Sequence, residues 1–172
     1  ITVTLKGPDD RWFAVGFGGS SMIGRDALIY TTGKTNSDPQ NAYDYKLTSK
    51  NNTGVNKDSQ EDWTVTSNTT AGGVRTIVAN RALNTSDVND FVFNFNASSL
   101  SIVYAKGSSA TFQLGNHGGG NRGFKTVSII SPCTSPTVPT LTATNTSICN
   151  GNSTTISLNS GTLNDATSWF LY

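Results

Sequence analysis

Ile1-Thr2-Val3-Thr4-Leu5-Lys6 opens the chain with apolar and polar residues in strict alternation. A period of two is typical of a β-strand with one buried face. The pattern returns in the β-branched run Val74–Ala79, in the aromatic run Phe91–Phe95 and in Leu100–Tyr104, and clusters of Gly, Asn, Asp and Ser separate the runs. No window has a sustained helical period. The sequence therefore predicts an all-β antiparallel sandwich of about eight to ten strands over residues 1 to roughly 131.

The composition limits the possible partners. The net charge is +1 and only 13% of the 172 residues are charged, against roughly 25% in soluble domains. This near-neutral balance argues against nucleic acid and anionic membranes as partners. No apolar run approaches the roughly 18 residues that a membrane span needs. We expect a secreted or cell-surface protein without a membrane span.

The character of the chain changes at Ser131-Pro132-Cys133, where prolines, threonines and serines indicate a linker over 132–138. A second alternating region follows, and we expect 139–172 to be the beginning of a further β-domain within a larger multidomain protein. The alternative is that this region donates strands to the first sandwich. The only other cysteine is Cys149. The two cysteines either form a disulfide in an oxidising compartment or remain free thiols, and the sequence leaves both open.

Catalytic motifs are scarce. His117 is the only histidine and no Gly-x-Ser-x-Gly elbow is present, which argues against a serine hydrolase and against a multi-histidine metal site. Gly118–Gly123 fits the dinucleotide glycine fingerprint, but a strand is predicted after it where the fingerprint needs a helix. The acidic run Asp58–Asp62 could supply an acid and a base or calcium ligands, yet a solvated turn is its simpler interpretation. We expect no catalytic residues and no enzyme.

Met22 and His117 are each flanked by glycines, which let the backbone approach a flat ligand. A thioether and an imidazole together form an axial ligand pair of haem iron in electron-transfer proteins. A core methionine and a structural histidine are the ordinary alternatives. No Cys-x-x-Cys-His motif is present, so covalent haem attachment is excluded.

Several motifs, taken in order, resemble the DOMON domain family over about residues 1 to 130. They are Trp12–Gly18 followed by Met22, Asp26–Tyr30, Gln60–Trp63, Arg81–Asp87, Ile102–Ala105, and His117 before Arg122-Gly123. The resemblance implies an immunoglobulin-like β-sandwich over 1–131, secreted or on the cell surface, that binds haem or sugars.

The chain is most similar in these motifs to the cytochrome subset of the family, exemplified by the b-haem domain of cellobiose dehydrogenase. That similarity implies noncovalent haem b with Met22 and His117 as iron ligands, and one-electron transfer to a redox partner protein or domain. Arg122 is a candidate partner of a haem propionate because of its charge and its nearness to His117. Phe17, Ile23 and Phe124 are candidates for apolar walls.

Two alternatives remain open at this stage. One is a carbohydrate-binding module for an extracellular glycan, with aromatic side chains that stack on sugar faces; the candidates are Trp12, Trp63, Tyr43 and Tyr45. The other is an adhesive segment of a surface protein, because Ser147–Ser153 followed by Trp169 is similar to the start of immunoglobulin-like modules in bacterial surface proteins, where Trp169 would be the core tryptophan.

Overall fold

The computed structural model describes residues 1–94, 96–129, 140–144, 147 and 149–160. The chain divides into two compact units, Ile1–Ile129 and Ile130–Tyr172. The described residues form antiparallel β-sheets with two short 3₁₀ turns. This confirms the predicted all-β fold. None of the described residues forms a helix long and apolar enough to cross a membrane.

The first unit contains nine strands among the described residues. In chain order they are β1 (Thr2–Pro8), β2 (Phe13–Phe17), β3 (Arg25–Thr31), β4 (Asn41–Leu47), β5 (Val55–Lys57), β6 (Thr64–Ala71), β7 (Val74–Asn80), β8 (Ser99–Lys106) and β9 (Arg122–Ser128). The 3₁₀ turns are Asn52–Gly54 and Gly119–Asn121. Three strands form a sheet in the order β1-β7-β6, and the other six form a sheet in the order β5-β4-β3-β2-β8-β9.

The hairpin between β6 and β7 shows how local sequence sets the connections. Gly72 and Gly73 form its turn with φ of +57° and +77°. Two consecutive positive φ angles match the right-handed twist of the flanking strands and disfavour side chains other than glycine. The turn thereby fixes the register in which Ala71 lies opposite Val74.

The two sheets bury an aromatic core between their facing surfaces. Phe17 stacks on Trp63 with ring centroids 5.7 Å apart, and the edge of Phe93 meets Phe17 at 5.0 Å. Leu28 and Ile77 are fully buried in the same cluster. The six-stranded sheet contributes Phe17 and Leu28 to this core from its inner face, while a second buried cluster with Ile29, Tyr45 and Leu47 lies on its outer face.

A buried ionic cluster lies on the inner side of the six-stranded sheet. Arg81, which follows β7, places Nη1 2.7 Å from Asp26 Oδ2 and 3.2 Å from Asp90 Oδ2, and 3.9 Å from Asp44 Oδ2. Its guanidinium also lies over the ring of Trp63, 4.7 Å from the centroid. Burial, together with the charges of Asp26 and Asp90, raises the pKa of Asp44 to about 9. The cluster ties both sheets to the segment that follows β7.

The predicted strand over Phe91–Phe95 is wrong for residues 91–94, which are irregular. The backbone groups of Phe91 pair with side chains instead of a neighbouring strand: its N–H donates to Asp26 Oδ2 at 2.8 Å and its carbonyl accepts from Arg81 Nη2 at 2.6 Å. The alternation still has a structural basis, since Phe93 is buried and Val92 is exposed.

The second unit contains a hairpin of β10 (Thr140–Ala143) and β11 (Ile156–Ser160). Cys149 is exposed. Cys133 and Trp169 lie outside the described residues, as does the whole predicted linker 132–138, so a pairing of Cys133 with Cys149 and a core role of Trp169 stay predictions.

Candidate functional site

Small residues cover the middle of the outer face of the six-stranded sheet. Ala14 on β2 lies opposite Ala105 on β8 and Ile29 on β3, and Gly16 lies opposite Val103 and Ala27. Side chains of this size leave a depression above the central strands. It forms the floor of a cavity of about 660 Å³, within the range of small-molecule and cofactor sites.

Met22 reaches this cavity from the loop between β2 and β3. Both ends of the loop are fixed by backbone hydrogen bonds: Gly18 donates to Ser101 O at 2.9 Å, and Gly24 donates to Leu47 O at 2.6 Å. The guanidinium of Arg25 donates to the carbonyl of Gly18 across the loop. Gly18 has φ of +83°, and a Cβ there would overlap the ring of Phe91. The tight turn thus holds the half-buried thioether against the cavity.

His117 reaches the same cavity from the loop between β8 and β9. The loop is tied down on each side of the imidazole, because Ser108 Oγ donates to Asn116 O at 2.8 Å and Gly118 N donates to Asn116 Oδ1 at 2.6 Å. Nearer its start, Leu114 is buried and its N–H donates to Gly33 O at 3.0 Å. The loop that carries His117 is therefore held in place by hydrogen bonds on both sides of the histidine.

The imidazole has a defined hydrogen-bond partner. Nδ1 of His117 lies 2.7 Å from the carbonyl oxygen of Gly118. Since a carbonyl only accepts, Nδ1 is the donor of this hydrogen bond, and Nε2 is the ring nitrogen without a protein partner at this contact. A histidine whose other ring nitrogen donates to a backbone carbonyl is the arrangement found at metal-binding histidines.

Met22 and His117 approach from opposite ends of the sheet. Phe17, at the end of β2, pairs with Ile102 near the start of β8, whereas Phe13 pairs with Lys106 at the end of β8. The loop of Met22 follows the first of these ends and the loop of His117 follows the second. An occupant of the cavity would lie between a thioether and an imidazole.

Arg122 and Phe124 complete the wall on the β9 side. They pair with Ala105 and Val103, so they share the face of the floor. The structure thus brings Met22, His117 and Arg122, which sequence reasoning singled out separately, to one cavity. Phe124 is 62% exposed and its neighbour Tyr104, which also lines the cavity, is 50% exposed.

Other predicted site residues lie elsewhere. The assignment of Phe17 to the cavity wall is wrong because Phe17 belongs to the core between the sheets, and Ile23 does not line the cavity and is 45% exposed. Among the candidate sugar-stacking residues, Trp63 is also buried between the sheets, and Trp12 lines the cavity. Tyr43 faces Lys57, whose Nζ lies 3.7 Å from the ring centroid, and Tyr45 is buried beneath the outer face.

The two remaining motifs have structural explanations. Gly118–Gly123 leads into strand β9, which confirms that it is not a dinucleotide fingerprint. In the acidic run, Glu61 Oε1 accepts a hydrogen bond from the N–H of Asp44 at 2.7 Å, and burial raises the pKa of Glu61. The acidic run is thus an irregular bend along the edge of β4, in agreement with the simpler interpretation.

Comparison with known proteins agrees with this architecture. The sequence profile described as "DOMON domain" matches residues 1–107, more than half of the chain. The chain belongs to the DOMON domain family. The match ends before His117 and Arg122, so it covers the floor and the loop of Met22 but not the opposite wall. No curated protein is similar enough to count as a match.

DOMON domains are binding and electron-transfer domains rather than catalysts, and the family is compatible with haem or with carbohydrate as a ligand. Membership therefore gives the class of function and leaves the ligand of this domain to be argued from its cavity.

Sequence reasoning missed several residues of the site. Ala105 and Leu114 carried no signal because the floor becomes visible only once the strand register is known. Lys50, in the loop after β4, also lines the cavity. The cluster of Asp26, Asp44, Asp90 and Arg81 was missed as well, although a charged residue inside an apolar strand, such as Asp26 before Ala27–Tyr30, was a signal that it has a buried partner.

Proposed function

We propose that this DOMON domain binds haem b noncovalently and serves in one-electron transfer outside the cytoplasm. The observation that carries the proposal is that one cavity is lined by both the only methionine and the only histidine of the chain. Met22 and His117 would hold the haem iron, and the bound group would supply a ferric–ferrous couple for one-electron transfer.

Three features of the cavity support haem over an unspecified ligand. Nδ1 of His117 lies at hydrogen-bond distance from Gly118 O, which leaves Nε2 as the ring nitrogen that can face a metal. The floor of Ala14, Ala105 and Val103 is apolar, and its small side chains leave room for a bulky apolar ligand. Arg122 offers a guanidinium for a propionate at the wall next to His117.

The surroundings of the domain follow from the same proposal. An electron-transfer domain needs a redox partner protein or domain that reaches the cavity edge, and no nucleic acid takes part. We propose a secreted or cell-surface location, and that residues 139–172 belong to a separate immunoglobulin-like β-module.

An absorption titration with hemin tests the haem proposal. We expect saturable uptake, a sharp Soret band and split α and β bands after reduction with dithionite. Met22→Ala and His117→Ala should each lose the six-coordinate spectrum. Ile23→Ala is the matched control because Ile23 is the exposed neighbour of Met22 that does not line the cavity. No saturable uptake, or equal spectra for wild type and both variants, would refute the proposal.

A carbohydrate-binding DOMON module is the alternative, and one observation favours it. The exposed ring of Phe124 lines the cavity, as does Trp12, and aromatic rings at a cavity mouth can stack on sugar faces. This alternative would be supported if the domain did not bind hemin but bound glycans in an array. Glycan binding should then be lost in Phe124→Ala.

A further inference from the structure

The charged side chains that line the cavity are all positive. Among the described residues that line it, Lys50 and Arg122 are the only charged ones, and no carboxylate accompanies them. An apolar floor with cations at its edges disfavours cationic ligands and favours an apolar body that carries negative groups. The family match ends before Arg122, and Lys50 is not part of any of the motifs that resemble the family.

The two cations stand at opposite ends of the sheet. Lys50 lies in the loop that follows β4. The end of β4 is hydrogen-bonded to the loop of Met22, because Leu47 O accepts from Gly24 N at 2.6 Å. Arg122 begins β9 opposite Ala105, at the end where the loop of His117 lies. Each candidate iron ligand therefore has a cation on its own side of the cavity.

The loop that carries Lys50 is well organised. Oδ1 of Asn51 accepts from Ser49 Oγ at 2.6 Å, from Thr53 Oγ1 at 2.6 Å and from Gly54 N at 3.2 Å. Gly54 is buried, and a Cβ at its position would overlap Ser49. Because the loop is braced on both sides of Lys50, holding the ammonium at the cavity costs little additional backbone ordering.

Within the described part of the chain, neither Lys50 nor Arg122 has a carboxylate at ion-pair distance, whereas Lys57 pairs with Asp38 and Arg11 pairs with Asp10. Both cavity cations are thus available to a ligand without the loss of a protein ion pair.

We propose that Lys50 is a second anion-binding residue of the cavity, which with Arg122 makes the site selective for an apolar ligand that carries two negative groups. The proposal rests on the haem proposal in its choice of ligand, since the two propionates of haem b would be those groups. It goes further because it assigns a role to a loop that neither iron ligand occupies.

The test compares hemin with hemin dimethyl ester, which has the same ring but no propionate charges. Lys50→Gln should raise the dissociation constant of hemin about fivefold, as for one charge contact near the surface, and should leave that of the ester unchanged. Arg122→Gln should act in the same way, and the double variant should abolish the preference for the acid over the ester. Lys125→Gln, an exposed lysine of β9 that does not line the cavity, is the control.

A second probe separates the two proposals. Bis-ANS is a fluorescent aromatic dianion without a metal, and we expect its affinity also to decrease in Lys50→Gln. Loss of bis-ANS affinity without any hemin uptake by the wild type would overturn the haem proposal and leave the dianion selectivity standing. Equal affinities of Lys50→Gln and Lys125→Gln for both hemin and bis-ANS would overturn the role of Lys50.

Discussion

Replacing Arg81 with methionine should lower the free energy of unfolding by about 3–5 kcal/mol, because it removes one member of a buried ion pair and leaves the other uncompensated. The side chain of Arg81 is 0% exposed, and its Nη1 lies 2.7 Å from Asp26 and 3.2 Å from Asp90. Asp44 contributes less to this loss of stability, because its raised pKa keeps the carboxyl group protonated near neutral pH. The penalty therefore comes mainly from two buried carboxylates that lose their cation.

Further losses act in the same direction. The guanidinium also donates to the carbonyl of Phe91 at 2.6 Å and lies over the ring of Trp63. A domain of this size is stable by about 5–15 kcal/mol in total, so the substitution removes a third or more of a typical value. The melting temperature should fall by on the order of 10–20 °C.

Urea denaturation followed by far-ultraviolet circular dichroism measures the effect. Arg11→Met is the matched control: Arg11 Nε lies at the same 2.7 Å from Asp10, but that pair is exposed, so its loss should cost less than about 1 kcal/mol. If Arg81→Met does not fold well enough to measure, Arg81→Lys, which keeps the charge and loses the planar fork, should be destabilised by an intermediate amount. Equal losses for Arg81→Met and Arg11→Met would refute the reasoning.

Two further predictions concern the pH response and the cavity floor. The pKa of Asp44, raised to about 9 in the fold from 3.8, means that the folded state keeps a proton that the unfolded chain releases; the stabilisation is complete below pH 3.8 and is lost as pH rises to about 9. Asp44→Asn should flatten this decline in urea titrations at about pH 5, 7 and 9, and an unchanged slope would contradict the assignment. Ala105→Phe should weaken hemin binding by at least about tenfold because the ring occupies the floor, whereas Ala110→Phe, at an exposed site away from the cavity, should not; equal affinities would argue against a ligand on this floor.

How far the sequence predicts the fold depends on which side chains each strand buries. β1, β7 and β8 follow alternating or β-branched runs and were predicted. β4 was not, because its inward positions include Asp44, whose burial only the cluster with Arg81 explains. For Phe91–Phe95 the sequence predicted a strand that residues 91–94 do not form. The alternation of Phe91 and Phe93 reflects real burial, but the backbone of Phe91 is hydrogen-bonded to the side chains of Asp26 and Arg81 instead of to a neighbouring strand.

The site was predictable only in part, for a related reason. The glycines around Met22 and His117 indicated close approach of the backbone, and both residues do line one cavity. Phe17 was misassigned because sequence adjacency to Met22 does not decide on which face of β2 a side chain lies. Lys50 is separated from His117 by 67 residues (117 − 50), and only the sheet order brings the two loops to one cavity.

The cavity lies on the outer face of the six-stranded sheet because the inner face packs against the three-stranded sheet. The six-stranded sheet uses its large side chains, such as Phe13, Val15 and Leu28, to pack against the three-stranded sheet, and this packing supplies the core. The next residues along the same strands, Ala14 and Ala27, face outward and are small, so this face forms a hollow, which the loops border without filling it. Because side chains alternate along each strand, substitutions on the outer face can change the ligand with little effect on the core. A DOMON sandwich can therefore keep its stability while its ligand changes, and the residues of the loops, above all Met22, Lys50, His117 and Arg122, are where the ligand of this domain has to be tested.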